Sequence, residues 1–592
     1  MIYEKFIKVL NIDLNTKKIK IDQRDDLYEY LGGVGVASKL LEENMKPDLD
    51  PLDPSQPIIF AIGAASTIFP VITKTVAMFI SPLTGELGES YAGGRLALTM
   101  FMAGYDAMVI TGKSDHHSYI SITRNSVEIK DARVFWGMSS DETGRVIRDR
   151  EAGSGKRSII RIGPAGENGI KYASVCVDTY RHFGRLGLGT VFGSKNLKAI
   201  SVIGDKYIPI KNFKDYFKVF QDIYKQVTDT EIMDKYHDSG TPIGVESLNA
   251  AGGLPTLNLS SGVFENAKDI SGEAFSTKNL VRKMACTGCP VGCIHIGQFR
   301  REFDKGHEYE VISVGYDYEL IFALGSFLGI KTTDEILAII EIVEKHGMDA
   351  ISTGIVLGWA TEAYKKGLIT DAEAIIPLEF GLTENYRKTV ELISDRANDF
   401  YSTLGEGVYK ASKKYGGSEY AMHFAKNEMA GYHTGYGMIL GSLVGARHSH
   451  LCNGGYSFDQ SMKVFDKEKL VESIFAEEKE RCMLNSLIIC LFSRKVYSRP
   501  TILAALNSIG REVTDEELTA ISERIYRTKL RIKKALGFNQ LEVEIPRRFF
   551  ETPGLNGVVS EEITRELLEM YNKKTEALMT DALMTELNQS EV

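Results

Sequence analysis

The 592-residue sequence lacks long apolar runs, and its most apolar segments, such as Ser486–Phe492, are far too short to span a bilayer. Its amino terminus lacks a basic stretch followed by an apolar stretch, so no export signal is predicted. Basic residues are not in excess, since the chain has 70 Lys and Arg residues and 79 Asp and Glu residues. A net charge of -9 argues against nucleic acid as a main partner. We therefore expect a cytoplasmic protein without a membrane or nucleic-acid partner.

Cysteine is scarce, with seven residues in the whole chain. An odd number without an export signal argues against a disulfide framework. Three cysteines crowd into the segment Cys286-Thr-Gly-Cys289-Pro-Val-Gly-Cys293. Three thiolates on one tight loop can face a common centre, as an iron–sulfur cube requires. The fourth ligand must come from elsewhere, and a structural zinc site is the competing interpretation. The candidates for that ligand are Cys490, Cys482, Cys452 and Cys176.

Fixed-period repeats and low-complexity segments are also absent. Alternation and turn residues predict a β-rich region in residues 1–206, with strands near 6–14, 19–21, 57–62, 75–80, 107–111, 119–123, 127–130, 158–162 and 197–203. Helical periodicity follows, for example in Thr333–His346, which ends at Gly347, and in 515–536 and 560–583. The predicted fold class is α+β, with a β-rich domain (1–206) before two mainly helical domains (207–400 and 401–592).

Several stretches of the chain resemble the tungsten-pterin aldehyde:ferredoxin oxidoreductase family. They are Tyr30–Ala37, Ser81–Gly85, Ala103–Lys113, Gly163–Asn168 and Gly184–Ile200. The resemblance implies an enzyme that oxidises an aldehyde to a carboxylic acid at a tungsten or molybdenum bis-pterin. Its electrons would pass through one [4Fe–4S] cluster to ferredoxin or another iron–sulfur protein. It also implies that residues 1–206 bind the pterins, and that a homodimer or a larger redox complex can form.

The family takes its cluster ligands from a CxxCxxxC loop and from the end of a later DxxGLC-like segment. Cys286, Cys289 and Cys293 match the loop, and Cys490 ends the similar segment Asn485–Cys490. The resemblance therefore implies that these four residues bind the cluster. Cys176, Cys452 and Cys482 are then interpreted as small apolar side chains.

Two copies of a DxxGL(D/C) motif hold the two pterins in this family. The first copy resembles Glu344–Asp349 and the second Asn485–Cys490. Glu replaces the usual leading Asp at 344 and Asn replaces it at 485, which implies retained pterin binding with altered geometry. The resemblance assigns pterin contacts to Glu344, Met348, Asp349, Asn485 and Ile489.

Glycine turns at Gly93-Gly94 and from Gly184 onward can present backbone N–H groups to the pterin phosphates. Ordinary tight turns are the alternative interpretation of these glycines. The resemblance also implies a Mg²⁺ ion that bridges the phosphates through the backbone carbonyls of Tyr91 and Phe183. Lys74 and Arg185 are candidate side-chain partners of the phosphates.

The family places a Glu and a His near the metal. Glu319, in Asp317–Gly325, is the first candidate and Glu310 the second, whereas His448 matches a GACH-like segment in which Arg447 replaces Cys. His450 lies two residues after His448 and is the alternative catalytic histidine if the alignment with the family motif is shifted by two residues. Glu319 would act as general base and His448 would donate to a developing oxyanion.

Two other functions remain open from the sequence. One is the tungsten-pterin subunit of a reductive complex, such as an aryl-CoA reductase. The other is a non-catalytic iron–sulfur electron-transfer module, which the two altered pterin motifs support. The many glycine segments of the first domain argue against the module, because an electron carrier does not need them.

Overall fold

The computed structural model describes residues 3–231, 233–304 and 306–590, with the backbone alone at 234 and 581–590. The first part of the chain forms two six-stranded sheets. The strands of the first sheet are β1 (Ile7–Asp13), β2 (Lys18–Arg24), β3 (Ile58–Ala61), β4 (Thr75–Ile80), β5 (Leu87–Ala92) and β6 (Ala107–Thr111). Those of the second are β7 (Ser118–Ile122), β8 (Val127–Asp131), β9 (Arg157–Arg161), β10 (Val175–Val177), β11 (Arg181–Phe183) and β12 (Leu197–Ile203).

The two sheets have the same topology. Their strand orders are β2-β1-β6-β3-β4-β5 and, read from the other end, β8-β7-β12-β9-β10-β11. In each sheet a hairpin joins the first two strands, the first strand pairs in parallel with the sixth, and the remaining pairs are antiparallel. The first part of the chain therefore consists of two halves, residues 7–111 and 118–203, built on one plan.

The predicted strands are confirmed, but three were missed: β5, β10 and β11. Strand β5 carries Gly88, Glu89 and Ser90 in a buried setting, so it lacks the expected apolar alternation. Strands β10 and β11 have three residues each, too few to show a period of two.

The rest of the chain is mainly helical, as predicted, and the helix predictions for 333–346, 515–536 and 560–583 are confirmed. It also contains a three-stranded antiparallel sheet that the sequence did not predict, β13 (Leu280–Met284), β14 (Ile294–Asp304) and β15 (Glu308–Tyr316), and a short hairpin, β16 (His423–Phe424) with β17 (Asn427–Glu428). The three cysteines of the loop lie between β13 and β14.

The helices of the described ranges follow one another along the whole chain. In order they are α1 (Gly33–Asn44), α2 (Leu96–Ala103), α3 (Ser140–Arg150), α4 (Pro164–Glu167), α5 (Leu188–Ser194), α6 (Phe213–Thr228), α7 (Gly244–Ala250), α8 (Gly272–Lys278), α9 (Tyr318–Leu324), α10 (Thr333–His346), α11 (Ala350–Lys365), α12 (Asp371–Ala374), α13 (Thr383–Ser394), α14 (Asp399–Leu404), α15 (Val408–Tyr415), α16 (Tyr436–Val444), α17 (Gly455–Ser461), α18 (Lys467–Ser486), α19 (Arg499–Ser508), α20 (Asp515–Ala535) and α21 (Glu561–Ser590). Among these described helices, none is long and apolar enough to cross a membrane.

Helix α10 shows why its ends were predictable. The Thr332 side chain accepts the N–H of Glu335 at the amino end, and Gly347 at the carboxyl end has the left-handed backbone that favours glycine. Helix α10 contacts α3 of the second half, and α18 contacts α1 of the first half. The second half of the β-rich region therefore meets α10, and the first half meets both α18 and α20 of the later chain.

Candidate active site

The two motif copies are the carboxyl ends of α10 and α18, and they have the same local fold. In the first copy the N–H of Met348 donates to the carbonyl of Val343 at 3.1 Å, and in the second Ile489 donates to Leu484 at 3.0 Å. The fourth residue of each copy has a left-handed backbone conformation, with φ 73° at Gly347 and 63° at Ile488. Both copies therefore terminate a helix in the same way.

Each copy packs against an equivalent glycine of the β-rich region. A Cβ placed on Gly163 would lie 2.4 Å from the carbonyl oxygen of His346, the third residue of the first copy. A Cβ placed on Gly63 would lie 2.4 Å from the carbonyl oxygen of Leu487, the third residue of the second copy. Such approaches are closer than any side chain permits, so both positions require glycine.

The last residue of each copy is also held in an equivalent way. The N–H of Asp349 donates to the carbonyl of Tyr172 at 3.0 Å, and the N–H of Cys490 donates to that of Val71 at 3.1 Å. The acceptors precede β10 and β4, which occupy the same place in their sheets. The two halves thus form two equivalent cradles, each holding one motif copy, which suits the binding of two similar groups.

Asp349 and Arg185, both predicted to bind the cofactor, contact each other. Arg185 Nε donates to Asp349 Oδ2 at 3.1 Å, and Arg185 Nη2 donates to the carbonyl of Glu428 at 2.7 Å. Asp349 also caps α11, where it accepts from the N–H groups of Ile351 and Ser352. Arg185 Nη1 is buried and has no hydrogen-bond partner among the described residues, so this nitrogen is available to a bound group.

The other predicted pterin contacts lie in the same two segments. Burial raises the pKa of Glu344 to about 7. Met348 forms a bridge with Ala173, and Asn485 and Ile489 are buried. Glu344 is therefore a carboxyl group that can be neutral at physiological pH and can donate as well as accept.

The predicted phosphate-binding residues also come together. Tyr91 lies on β5 and Phe183 on β11, and these two strands contact each other. A Cβ on Gly93 would lie 3.3 Å from Lys74 Nζ, while no atom lies within 4 Å of a Cβ built on Gly184. The backbone at Gly184 thus faces open space. Gly94 has a left-handed backbone, and its carbonyl accepts the N–H of Thr287 from the cysteine loop at 3.1 Å.

The cysteine loop and Cys490 are joined through Val71. The N–H of Val71 donates to the carbonyl of Gly288 at 3.3 Å, while the carbonyl of Val71 accepts the N–H of Cys490 at 3.1 Å. None of the seven cysteines forms a disulfide. Val71 therefore brings the backbone of Cys490, the fourth candidate ligand, close to the loop that carries the other three cysteines.

The thiols of this region differ in their ease of ionisation. Burial disfavours the thiolate of Cys286, but the nearby Lys74 and Arg181 outweigh burial and lower its pKa. Burial raises the pKa of Cys289 to about 12 and that of Cys293 to about 11. Thiols of this kind ionise most readily when cations such as iron neutralise their charge.

Among the residues described, no group of three or more His, Cys, Asp or Glu side chains is placed to hold a single metal ion. A cube-shaped cluster does not require such a group, because each of its four thiolates binds a different iron atom. Arg181, which the sequence did not single out, lies beside the loop, and its Nη2 is 3.9 Å from Cys293 Sγ. Its buried Nε has no hydrogen-bond partner in the described part of the chain.

Glu319 lies in the first turn of α9, where Asp317 caps the helix by accepting its N–H group. His450 Nε2 is 3.1 Å from Glu319 Oε1, although the two groups are not oriented for a hydrogen bond. The N–H of Gly431 donates to Glu319 Oε2 at 3.1 Å, and Tyr432 lies beside the same carboxyl group, where it favours the ionised form. The Glu319 and His450 side chains are 17% and 8% exposed, and together with Tyr432 they form a largely buried polar site.

Burial sets the protonation of this pair. It raises the pKa of Glu319 to about 8, against the lowering effect of the Gly431 N–H. Burial, with help from Arg447 and Arg185, lowers the pKa of His450 to about 3. At pH 7 a mostly neutral carboxyl group therefore faces a neutral imidazole, and perturbed groups of this kind are candidates for acid–base catalysis.

His448 lies elsewhere, in a buried network of charged groups. Its Nε2 is 3.1 Å from Glu86 Oε2 and 3.0 Å from Lys533 Nζ, and its Nδ1 is 3.1 Å from the carbonyl of Ser442. Burial and Lys533 lower the pKa of His448. These contacts occupy both ring nitrogens, so the structure brings His450, and not His448, to Glu319.

Glu310, the second candidate base, lies on β15. Its carboxylate pairs with Arg301 at 2.5 Å, and its side chain is 43% exposed. The structure thus places Glu310 on an open hairpin and Glu319 in the polar site. Tyr432 has no motif around it that could have revealed it from the sequence.

Comparison with known proteins places this site in context. A family model described as aldehyde ferredoxin oxidoreductase, N-terminal domain, matches residues 9–204, and one described as domains 2 and 3 of the same protein matches residues 218–575. The chain is 33% identical to the tungsten-containing aldehyde ferredoxin oxidoreductase of Pyrococcus furiosus, with 96% of each chain covered. It is 32% identical to the protein of that name from Thermococcus kodakarensis, again over 96% of each chain.

A solved structure shares the fold. It is the active site complex BamBC of benzoyl coenzyme A reductase with 1,5-dienoyl-CoA, matched with a TM-score of 0.80 and 21% identity over 96% of this chain and 94% of that chain. At this level of identity, the likeness concerns the fold alone.

Proposed function

The chain belongs to the aldehyde ferredoxin oxidoreductase family, and we propose that it oxidises an aldehyde to a carboxylic acid at a tungsten or molybdenum bis-pterin. Its electrons leave through one [4Fe–4S] cluster to ferredoxin or a similar iron–sulfur protein. The duplicated cradle carries this proposal, because two equivalent halves hold two equivalent motif copies. Two similar pterins around one metal need such a pair of sites.

The residues present fit these cofactors. Cys286, Cys289, Cys293 and Cys490 are free thiols, which are the ligands that an iron–sulfur cluster requires. The open space at Gly184 and the unpartnered Arg185 Nη1 suit an anionic group such as a phosphate. The remaining proposed contacts follow the resemblance: Lys74, Gly93 and Gly94 for phosphates, the carbonyls of Tyr91 and Phe183 for Mg²⁺, and Glu344, Met348, Asp349, Asn485 and Ile489 for the pterins.

The bound metal–pterin group supplies two-electron oxidation, and the cluster supplies one-electron transfer. Glu319 acts as the general base in its ionised form, which becomes populated as the pH approaches 8, and takes a proton from water or from the aldehyde hydrate. The Gly431 N–H holds that carboxylate in place, and Tyr432 lies beside it. We propose His450, in place of His448, as the group that donates to the developing oxyanion, because its Nε2 lies beside Glu319.

A reductive reaction of the aryl-CoA reductase type is the second candidate. It is favoured by the raised pKa of Glu319, about 8, which leaves the carboxyl group protonated at pH 7. A reduction needs a proton donor, and the protonated carboxyl group of Glu319 can serve as one.

A viologen-coupled assay over a panel of aldehydes tests the first proposal. Anaerobically purified protein is expected to reduce benzyl viologen with at least one aldehyde, and Glu319→Gln is expected to lose that activity. Reduction of an aryl thioester by a low-potential donor, without oxidation of any aldehyde, would support the second candidate instead. Protein that contains iron but performs neither reaction would be a non-catalytic electron-transfer module.

A further inference from the structure

A cavity of about 320 Å³ opens beside the cysteine loop. Met284, Ala285 and Thr287 form one wall, so the cavity borders the segment that carries Cys286 and Cys289. The other walls come from the second half of the β-rich region and from the turn after β5. Four arginine side chains line this cavity: Arg95, Arg148, Arg157 and Arg181.

The positive charge of the cavity is not neutralised from within. Asp178 is the one carboxylate among the described lining residues, so it offsets only part of the charge of the four arginines. Asp178 Oδ2 accepts the backbone N–H of Arg95 at 2.9 Å, and Oδ1 accepts the Ser158 hydroxyl at 2.8 Å. A cationic cavity therefore stands out on a chain with a net charge of -9.

The cavity lies close to the proposed cluster ligands, although none of them lines it. Arg181 lines it and lies 3.9 Å, through Nη2, from Cys293 Sγ. Thr287, between Cys286 and Cys289, is bound to the carbonyl of Gly94 at 3.1 Å. A molecule seated here is thus separated from the cysteine loop by little more than one layer of side chains.

We propose that this cavity is the docking site of the electron carrier, through carboxylates on the surface of a small acidic iron–sulfur protein. The inference rests on the proposed function and adds the place and chemistry of its electron exit. Redox encounters use small and transient interfaces, and opposite charges speed their formation without making them permanent. Arg148 and Ser154 are exposed at the cavity, where they can meet a protein surface.

Two variants test the proposal without touching the cysteines. Arg148→Glu reverses an exposed charge, and Ser154→Glu adds a negative charge at the same cavity. Arg124→Glu is the matched control, because Arg124 is exposed in the turn between β7 and β8 of the same half and does not line the cavity. Each protein is assayed with an acidic ferredoxin and, separately, with benzyl viologen, a small dication that needs no carboxylate docking.

Both cavity variants are expected to raise the KM for ferredoxin by about tenfold and to leave the viologen rate unchanged. Raising the ionic strength from about 0.05 to about 0.5 M should weaken ferredoxin use by the unmodified protein more than by the variants. The proposal is overturned by an unchanged KM in both cavity variants or by an equal change in Arg124→Glu.

Binding of oxidised ferredoxin by calorimetry gives a readout that needs no turnover. Failure of the aldehyde assay with normal, charge-dependent binding would therefore reject the proposed reaction and keep the docking site. Inorganic phosphate, added at constant ionic strength, is expected to compete weakly. Displacement of ferredoxin by phosphate well below millimolar concentration would assign the cavity to a small oxyanion and overturn the proposal.

Discussion

Gly63 and Gly163 occupy equivalent positions in the two halves of the β-rich region. Each lies two residues after a central strand, β3 or β9, and each approaches the carbonyl oxygen of the third residue of one motif copy. The two approaches have the same length, because a Cβ at either position would come within 2.4 Å of that oxygen. The two halves therefore support the two copies alike, as a pair of similar ligands requires.

Gly163→Ala is expected to lower the free energy of unfolding by roughly 1–3 kcal/mol, because the new methyl group must displace backbone. Gly184→Ala is the matched variant, since its methyl group would enter open space. We expect it to leave the stability within about 0.5 kcal/mol and to reduce the pterin content of the purified protein. Thermal unfolding and pterin analysis check both variants. A full pterin complement in Gly184→Ala would show that the open space does not hold the cofactor.

The pH dependence of activity should follow Glu319. Because its pKa is raised to about 8 by burial, kcat/KM for the aldehyde should rise with pH and level off above about pH 8, when the carboxylate is the base. Glu319→Gln is expected to lose about a hundredfold or more in rate. A rate that stays constant from pH 6 to pH 9 would argue against this assignment.

The same raised pKa predicts a change in stability. The carboxyl group binds its proton more tightly in the folded protein than the ordinary value of 4.5 allows, so its contribution is full below that pH. It is lost progressively as the pH rises from 4.5 to about 8. Over this range the melting temperature of the unmodified protein should fall relative to that of Glu319→Gln, and parallel curves would contradict the shift.

His450 and His448 should respond differently to the same substitution. His450→Gln is expected to lower kcat by about a hundredfold with little effect on stability, because it removes a donor beside the substrate. His448→Gln should instead lower the free energy of unfolding by about 1–3 kcal/mol, because Glu86 and Lys533 lose a buried partner. Steady-state kinetics and thermal unfolding of both variants decide the matter. The reverse pattern would restore His448 as the catalytic histidine.

Cys490 and Cys482 form a matched pair for the cluster. Cys490→Ser should lose iron and the spectroscopic signals of a cluster, because a thiolate ligand is removed. Cys482 lies on the same chain segment, in α18, and is buried in the apolar core. Cys482→Ser should retain iron, at a modest cost in stability. Equal iron loss in the two variants would mean that Cys490 has no special role.

Much of the fold was readable from local patterns. The hairpin of β1 and β2 and the strands β3, β4, β6 and β12 have enough residues to show alternation or a continuous apolar run. The helix α10 carries a capping residue at one end and glycine at the other. The common strand order of the two halves could not be predicted from the sequence, because the topology repeats and the residues do not.

Within the candidate site, the motifs pointed to the correct segments but not to every side chain. The backbone of His448 is left-handed, with φ 51°, and its ring bonds to Glu86, a contact between residues far apart in the sequence. His450 then comes to Glu319 instead. Arg181 and Tyr432 belong to no motif, and only the packing of distant segments brings them to the cysteine loop and to Glu319.

The most direct test of the cofactor proposal is the metal and pterin content of the anaerobically purified protein. Elemental analysis should give about four iron atoms and about one tungsten or molybdenum atom per chain, with about two pterins. Iron without pterin, or zinc as the only metal, would contradict it.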